Sequence, residues 1–485
     1  MRYARRAALA AAALAAATAV PALAGSSPAH RAGPVDTYRA YDLGLTGGEP
    51  SIGFDPRRDR ALYASGMTVL RLAWNAAGRL TSSNVTPAQS LTTLDTILVT
   101  DQHTGRTYLS YLLGACSQMF FSDNAGASWQ NSTGCGPGAL LDHESVGAGP
   151  FHAPLPANPL SPDAVYYCAQ NGFNGACAVS VDGGRTFGPG VPVANTPAND
   201  PGNPEGGACS ALHGHVRVGP DGTAYLPLKG CHGQPTSNNL TNSEYYGGQT
   251  AVSVSTNDGA SWTIHPVPGS HNPDESDPSV AIGPRGSVYL GWEDGTNPSD
   301  VVNGLTSSAR IAVSHDGGKS WTKPYDVSSA LGVRNVQFPE VITGDDNRAA
   351  FAFIGTTAAG DDQNQSFQGA WDLYVATTYD GGRSWSTVDV TPHDPVQRGC
   401  VDLQGLAPGS QRANPCTRRD LLDFNDITVD AQGRVLVAYT DGCTGACVTD
   451  PSDPQMSDAE MVLRQTGGRG LYAADDGRVF APPRR

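Results

Sequence analysis

The tripeptide His213-Gly214-His215 sets two imidazoles on one side of an extended chain, because side chains two positions apart share a face of a strand. With a carboxylate such as Glu144 or Asp277 beside them, they would form a divalent metal site or supply a catalytic base. Carboxylates recur in pairs, Asp142 with Glu144 and Glu275 with Asp277, and Glu340 adds another. Two acids flanking a scissile bond are what glycoside hydrolysis needs, one giving a proton and the other acting as base or nucleophile. These residues belong to a wider set at the entries of apolar strands: Glu49, Asp95, His143 with Glu144, His213 with His215, Asp277, Glu340 and Asp426. If the strands radiate from one axis, these entries ring a single funnel. The competing reading is a polar, water-filled channel with no chemistry of its own.

An internal repeat supplies the axis. Five segments share the pattern Ser/Thr-x-Asp/Asn-x-Gly-x-Ser/Thr-Trp/Phe: Ser122–Trp129, Ser180–Phe187, Ser255–Trp262, Ser314–Trp321 and Thr378–Trp385. Each follows an apolar or alternating run such as Ala251-Val252-Ser253-Val254. A strand therefore enters a tight turn, in which the Asp or Asn accepts turn N–H groups and Gly takes a positive φ. Five copies about 60 residues apart indicate repetition. A strand–turn–strand signal precedes them and recurs seven times, from Glu49-Pro50-Ser51-Ile52 to Asp426-Ile427-Thr428-Val429. The first and last units lack a clean copy of the turn, Val462–Leu471 being a degenerate one. Four short antiparallel strands per unit, repeated radially, predict an all-β, seven-bladed β-propeller. Roughly 65 residues per unit leaves six blades open as well.

The turn motif is the Asp-box, or BNR repeat, and the chain resembles the sialidase-like superfamily of Asp-box propellers over most of residues 42–475. That resemblance implies three Arg clamping a substrate carboxylate, a Tyr–Glu nucleophile pair and an Asp acid/base. Arg310, Arg334 and Arg418 or Arg419 are the candidate clamp, and Glu244 with Tyr245 the candidate pair. The family's Arg-Ile-Pro signature is missing; Tyr38-Arg39-Ala40-Tyr41 is its nearest remnant. Strand parity puts the tight turns Gly219–Gly222, Gly283–Gly286 and Asp430–Gly433 on the face of the Asp-boxes. The long segments, among them Pro189–Cys209, Lys229–Gly248 and Thr391–Asp420, fall on the other face. Binding sites sit on loops held by a rigid scaffold, so that loop face is the expected working face. There Tyr245, Tyr246, Trp292 and Trp371 are candidates for stacking on sugar rings, with blade packing as the alternative, preferred for Trp292. The Trp residues of the turns are expected to be structural.

Residues 1–24 read as a secretory signal peptide, with Arg2, Arg5 and Arg6, an apolar run Ala7–Val20, and Ala22-Leu23-Ala24 as the cleavage site. The run is too short for the about 20 residues of a membrane span. Cleavage removes three Arg and no acid, making the formal charge of −15 more negative still, which argues against nucleic acid as a partner. In an exported chain, ten Cys imply disulfides, and chain order suggests Cys116–Cys135, Cys168–Cys177, Cys209–Cys231, Cys400–Cys416 and Cys443–Cys447. The expectation is a secreted monomer with signal peptide 1–24, an extension 25–41 and one propeller over 42–485. It engages an extracellular glycan or protein, as an exo-glycosidase of sialidase type. The alternatives are a non-catalytic binding propeller and a His- or metal-dependent polysaccharide lyase. No cofactor is expected, apart from the divalent metal that His213 and His215 would admit.

Overall fold

The computed structural model describes residues 36–476 except 91–92, 94, 114–116, 133–141, 156–158, 171–173, 197–206, 233, 236–244, 247, 272–275, 296–305, 404–413, 415 and 451–456. The segment read as a signal peptide, Cys116 with Cys135, and Glu244 and Glu275 therefore lie outside the described residues. Among the described residues, no helix is long and apolar enough to cross a membrane.

Seven four-stranded antiparallel sheets follow one another along the chain. Their innermost strands are Ser51–Asp55, Thr96–Thr100, Asp142–Pro150, Arg217–Val218, Ser279–Ile282, Asn335–Thr343 and Asp426–Val429, one per blade in that order. Each carries a Val or Ile that packs between blades. The preceding polar side chain then clamps the next sheet. Ser51 Oγ accepts from Leu98 N (2.8 Å), Ser145 Oγ from Val216 N (2.8 Å) and Ser279 Oγ from Val341 N (2.9 Å). Asp426 Oδ2 accepts from Ile52 N (2.8 Å) and closes blade seven onto blade one. Inner strands crowd most closely at the axis. A Cβ on Gly147 would lie 2.6 Å from the Val216 carbonyl, so glycine is what lets blades three and four meet there.

Ring closure also uses the N-terminus. Strand Thr37–Thr46 pairs antiparallel with Ala459–Gly467 as the outermost strand of blade seven. The boundary read between residues 41 and 42 thus falls inside a strand. Val462–Leu471, read as a degenerate hairpin, instead ends blade seven's third strand, and the fourth comes from the other end of the chain. Asp36 anchors this junction, accepting from Thr377 Oγ1 (2.9 Å), Tyr379 OH (3.1 Å) and Arg469 N (3.2 Å).

The five repeated turns share one hydrogen-bond scheme. The leading hydroxyl accepts from the glycine N–H: Ser122 from Gly126, Ser180 from Gly184, Ser255 from Gly259, Ser314 from Gly318 and Thr378 from Gly382, at 2.8–3.0 Å. The Asn or Asp accepts from the N–H four residues on, as in Ser261 N to Asn257 Oδ1 (3.0 Å). Gly259 has φ +77°, and a Cβ there would lie 2.4 Å from Val179 of the preceding blade. Trp262 is buried and meets Tyr166 edge-on. Blade one has a shortened relative of this turn, Asn75–Gly78, in which Asn75 Oδ1 accepts from Ala77 N and Arg79 N.

Among the described residues four disulfides are formed, Cys168–Cys177, Cys209–Cys231, Cys400–Cys416 and Cys443–Cys447, all on segments of the loop face.

Candidate functional site

Side chains of the inner strands alternate between the blade interior and the axis. In two blades the chain enters with a bulge that changes this aim. The register slips between Asp142 and Ser145 and between Gln337 and Glu340. His143 and Phe338 there, and Glu49 at the matching place in blade one, adopt positive φ of 56°, 55° and 51°. Non-glycine residues hold such backbone only where their surroundings enforce it, often at functional sites. The bulge at His143 and the positive φ of Glu49 aim both side chains into the cavity at the loop end.

At that centre His143 Nε2 is hydrogen-bonded to Asp277 Oδ2 from across the ring, and Lys229 Nζ lies 3.0 Å from Asp277 Oδ1. Burial disfavours the imidazolium, but the Asp277 carboxylate overrides it and lifts His143 to about 9. Burial likewise opposes ionisation of Asp277, yet His143 and Lys229 hold it well below the usual carboxylate range. His213 stands edge-on to His143 with ring centroids 6.2 Å apart. Burial, and then the charge on His143, push His213 down to about 4. Its Nδ1 donates to the Gly214 carbonyl (3.0 Å), and its buried Nε2 has no partner.

Beside His143 lies a cavity of about 30 Å³ lined by Glu49, Asp95, Thr96, Ile97, Asp142, His143, Glu144, Asp423 and Phe424. That is room for a water molecule and not for a sugar ring. Glu49 is hydrogen-bonded to both Asp423 and Asp95. Burial and these two acids raise it well above the ordinary carboxyl range. Asp95 is raised too, by burial and by Asp142. Arg419 balances part of this charge, with Nη2 2.6 Å from Asp423 Oδ2. The result is a group of closely packed acids beside His143.

One residue deeper along the axis are His215, Glu340 and Asp426. Arg217 follows, with Nη2 3.5 Å from Asp426 Oδ1. Glu144 turns between blades two and three, where Oε2 accepts from Ser110 Oγ of blade two (2.7 Å) and Tyr167 OH of blade three (2.5 Å). Burial lifts it to about 7.

The axial residues expected from strand entries are therefore brought together. The Arg candidates are not. Arg310 Nε pairs with Asp294 at 3.1 Å on blade five, Arg334 is exposed, and Arg418 is hydrogen-bonded to the Arg398 carbonyl. Among the described residues, Lys229, Arg217 and Arg419 are the cations near the axial acids. Tyr245 and Tyr246 form a short strand with Gln234–Pro235. Trp371 is fully buried, its Nε1 donating to the Gly399 carbonyl (2.9 Å), so it packs the blade and offers no stacking surface; Trp292 is buried as well. Sequence reading missed Lys229 and Asp423. Lys229 did carry a signal, being a single charge in the otherwise uncharged strand Ala224–Cys231. Asp423, one of many loop acids, carried none.

A larger cavity, about 700 Å³, opens at the tight-turn end of the axis. Its wall is largely apolar, with Asp101, His103, Arg217, Asp345 and Asp426 among its polar groups.

No protein-family model and no curated protein sequence matches the chain. Among solved structures it is similar to an ulvan lyase of a polysaccharide lyase family, at 9% identity and TM-score 0.47 over 91% of this chain and 99% of that one. A xyloglucanase from Xanthomonas campestris matches at 14% identity and TM-score 0.45, over 83% and 53% of the two chains. A lectin from Burkholderia pseudomallei matches at 13% identity and TM-score 0.42, over 83% and 94%. At these values the likeness assigns no activity.

Proposed function

We propose that this is an exported Asp-box propeller that acts on extracellular glycans at its loop face, as a glycoside hydrolase. The observation that carries this reading is the group of buried acids Glu49 and Asp95, with Asp423, beside His143 at the loop end of the axis. Glu49, whose carboxyl burial and the neighbouring acids raise well above its ordinary range, is the general acid that protonates the leaving oxygen. His143, fixed by Asp277, hydrogen-bonds the substrate beside that acid. Because Arg310, Arg334 and Arg418 are engaged or exposed elsewhere, and acids line the cavity, we read the substrate as a glycan without a carboxylate at the cleaved residue. The sialidase form of the expectation is not the one we favour.

The test is turnover of a panel of neutral, amino and acidic glycosides and polysaccharides, followed by reducing-end release. Glu49→Gln is expected to lower kcat by about 10²–10⁴-fold with the fold unchanged by circular dichroism. Glycan binding without turnover would make the protein a lectin-like propeller, and neither binding nor turnover would remove the reading. A second reading, eliminative cleavage, is favoured by His213, a neutral imidazole with an unpartnered Nε2 suited to proton abstraction. Formation of an unsaturated, ultraviolet-absorbing product would select it.

A further inference from the structure

We propose that His215, Glu340 and Asp426 form a buried binding site for one divalent transition-metal ion on the propeller axis. One ligand atom from each lies within 4.8 Å of the others. The three residues come from blades four, six and seven, so the cluster is created only by ring closure. His215 and Glu340 side chains are each 7% exposed. His215 Nδ1 is buried with no hydrogen-bond partner, and it faces Glu340 Oε1 at 3.8 Å, too far for a hydrogen bond.

The neighbouring contacts leave room for this role. Glu340 Oε2 accepts from Ser279 Oγ (2.9 Å), which orients the carboxylate as outer partners of metal ligands do. Asp426 accepts from Ile52 N and Ile427 N (2.8 Å each) and is approached by Arg217. The edge of the Phe424 ring packs against His215 at 4.8 Å between centroids and fixes the imidazole plane. An imidazole nitrogen with two carboxylates suits zinc or manganese; magnesium and calcium prefer oxygen alone. Ligand atoms up to 4.8 Å apart must draw inward slightly around an ion with bonds of about 2.0–2.2 Å. His213, expected from sequence to share a metal with His215, does not belong to this set and keeps its own bond to Gly214.

The experiment uses the full secreted chain, dialysed against chelator and then titrated with zinc chloride by calorimetry. Elemental analysis follows after desalting. Co²⁺ loading gives an independent reading through its visible ligand-field bands. One ion per chain is expected, with a higher melting temperature. His215→Ala and Glu340→Gln should each lower metal affinity at least tenfold and abolish the Co²⁺ spectrum. His143→Ala, one layer above, should retain binding. Absence of stoichiometric uptake by the unaltered protein would overturn the proposal, and so would equal uptake by His215→Ala. The unaltered protein alone decides the first outcome even if a variant fails to fold.

Discussion

Burial of single acids decides how this molecule responds to pH. Glu144 is pushed up to about 7 by desolvation, and so are Glu460 and Asp441. A carboxyl whose folded pKa is raised keeps its proton in the native state while the unfolded chain has lost it. Its stabilisation is complete below the unfolded value near 4.5 and is lost as pH rises through about 7. The melting temperature is therefore expected to fall between pH 5 and pH 8. Glu144→Gln mimics the protonated acid and retains an acceptor for Tyr167. It should flatten that fall and relieve roughly 3 kcal/mol at pH 8, as a pH series of thermal melts would show. At the same scale, Asp277→Asn removes the partner that keeps His143 charged. The predicted outcome is loss of most activity, together with a drop of the His143 pKa from about 9, readable by NMR titration. An unchanged His143 pKa would refute this coupling.

The hairpin turns are where sequence spoke most clearly. Their hydroxyl, amide or acid, glycine and aromatic positions are local chemistry repeated five times, so a propeller could be read before any contact was known, while the seven strand–turn–strand signals pointed to seven blades and left six open. Gly259 shows why the pattern is strict: it needs both a positive φ and the absence of a side chain against Val179. Gly259→Ala should cost roughly 1–3 kcal/mol, measured by chemical denaturation, whereas an alanine at an exposed turn position should cost little. The candidate site was legible only in part. Strand entries named Glu49, Asp95, His143, His213, His215, Asp277, Glu340 and Asp426, because alternation along a strand is local information. The union of His143 with Asp277, and the approach of Lys229, depend on which blades face each other across the axis. Spacing does not encode that. The resemblance led toward an Arg clamp that the described residues do not assemble.

For the molecule as a whole, the ring is a chain of Ser clamps and interblade cores completed by one non-local strand. Removing Thr37–Thr46 would leave Ala459–Gly467 as a bare edge and expose the apolar cluster around Tyr41, Leu43 and Leu45. Such a truncated protein should aggregate or lose its single cooperative melt, and a synthetic peptide of residues 36–46 should restore part of it. Independent, cooperative melting of the truncated chain without the peptide would show that the blades hold together unaided.

The pairing of Thr37–Thr46 with Ala459–Gly467 also orders events during synthesis. Among the described strands this one leaves the ribosome first and has no partner until residues 459–467 have followed, so for most of that time it must be kept from foreign sheets. Its Arg39 and Asp42 are exposed in the finished ring, while Tyr41, Leu43 and Leu45 stay unburied until it locks the circle.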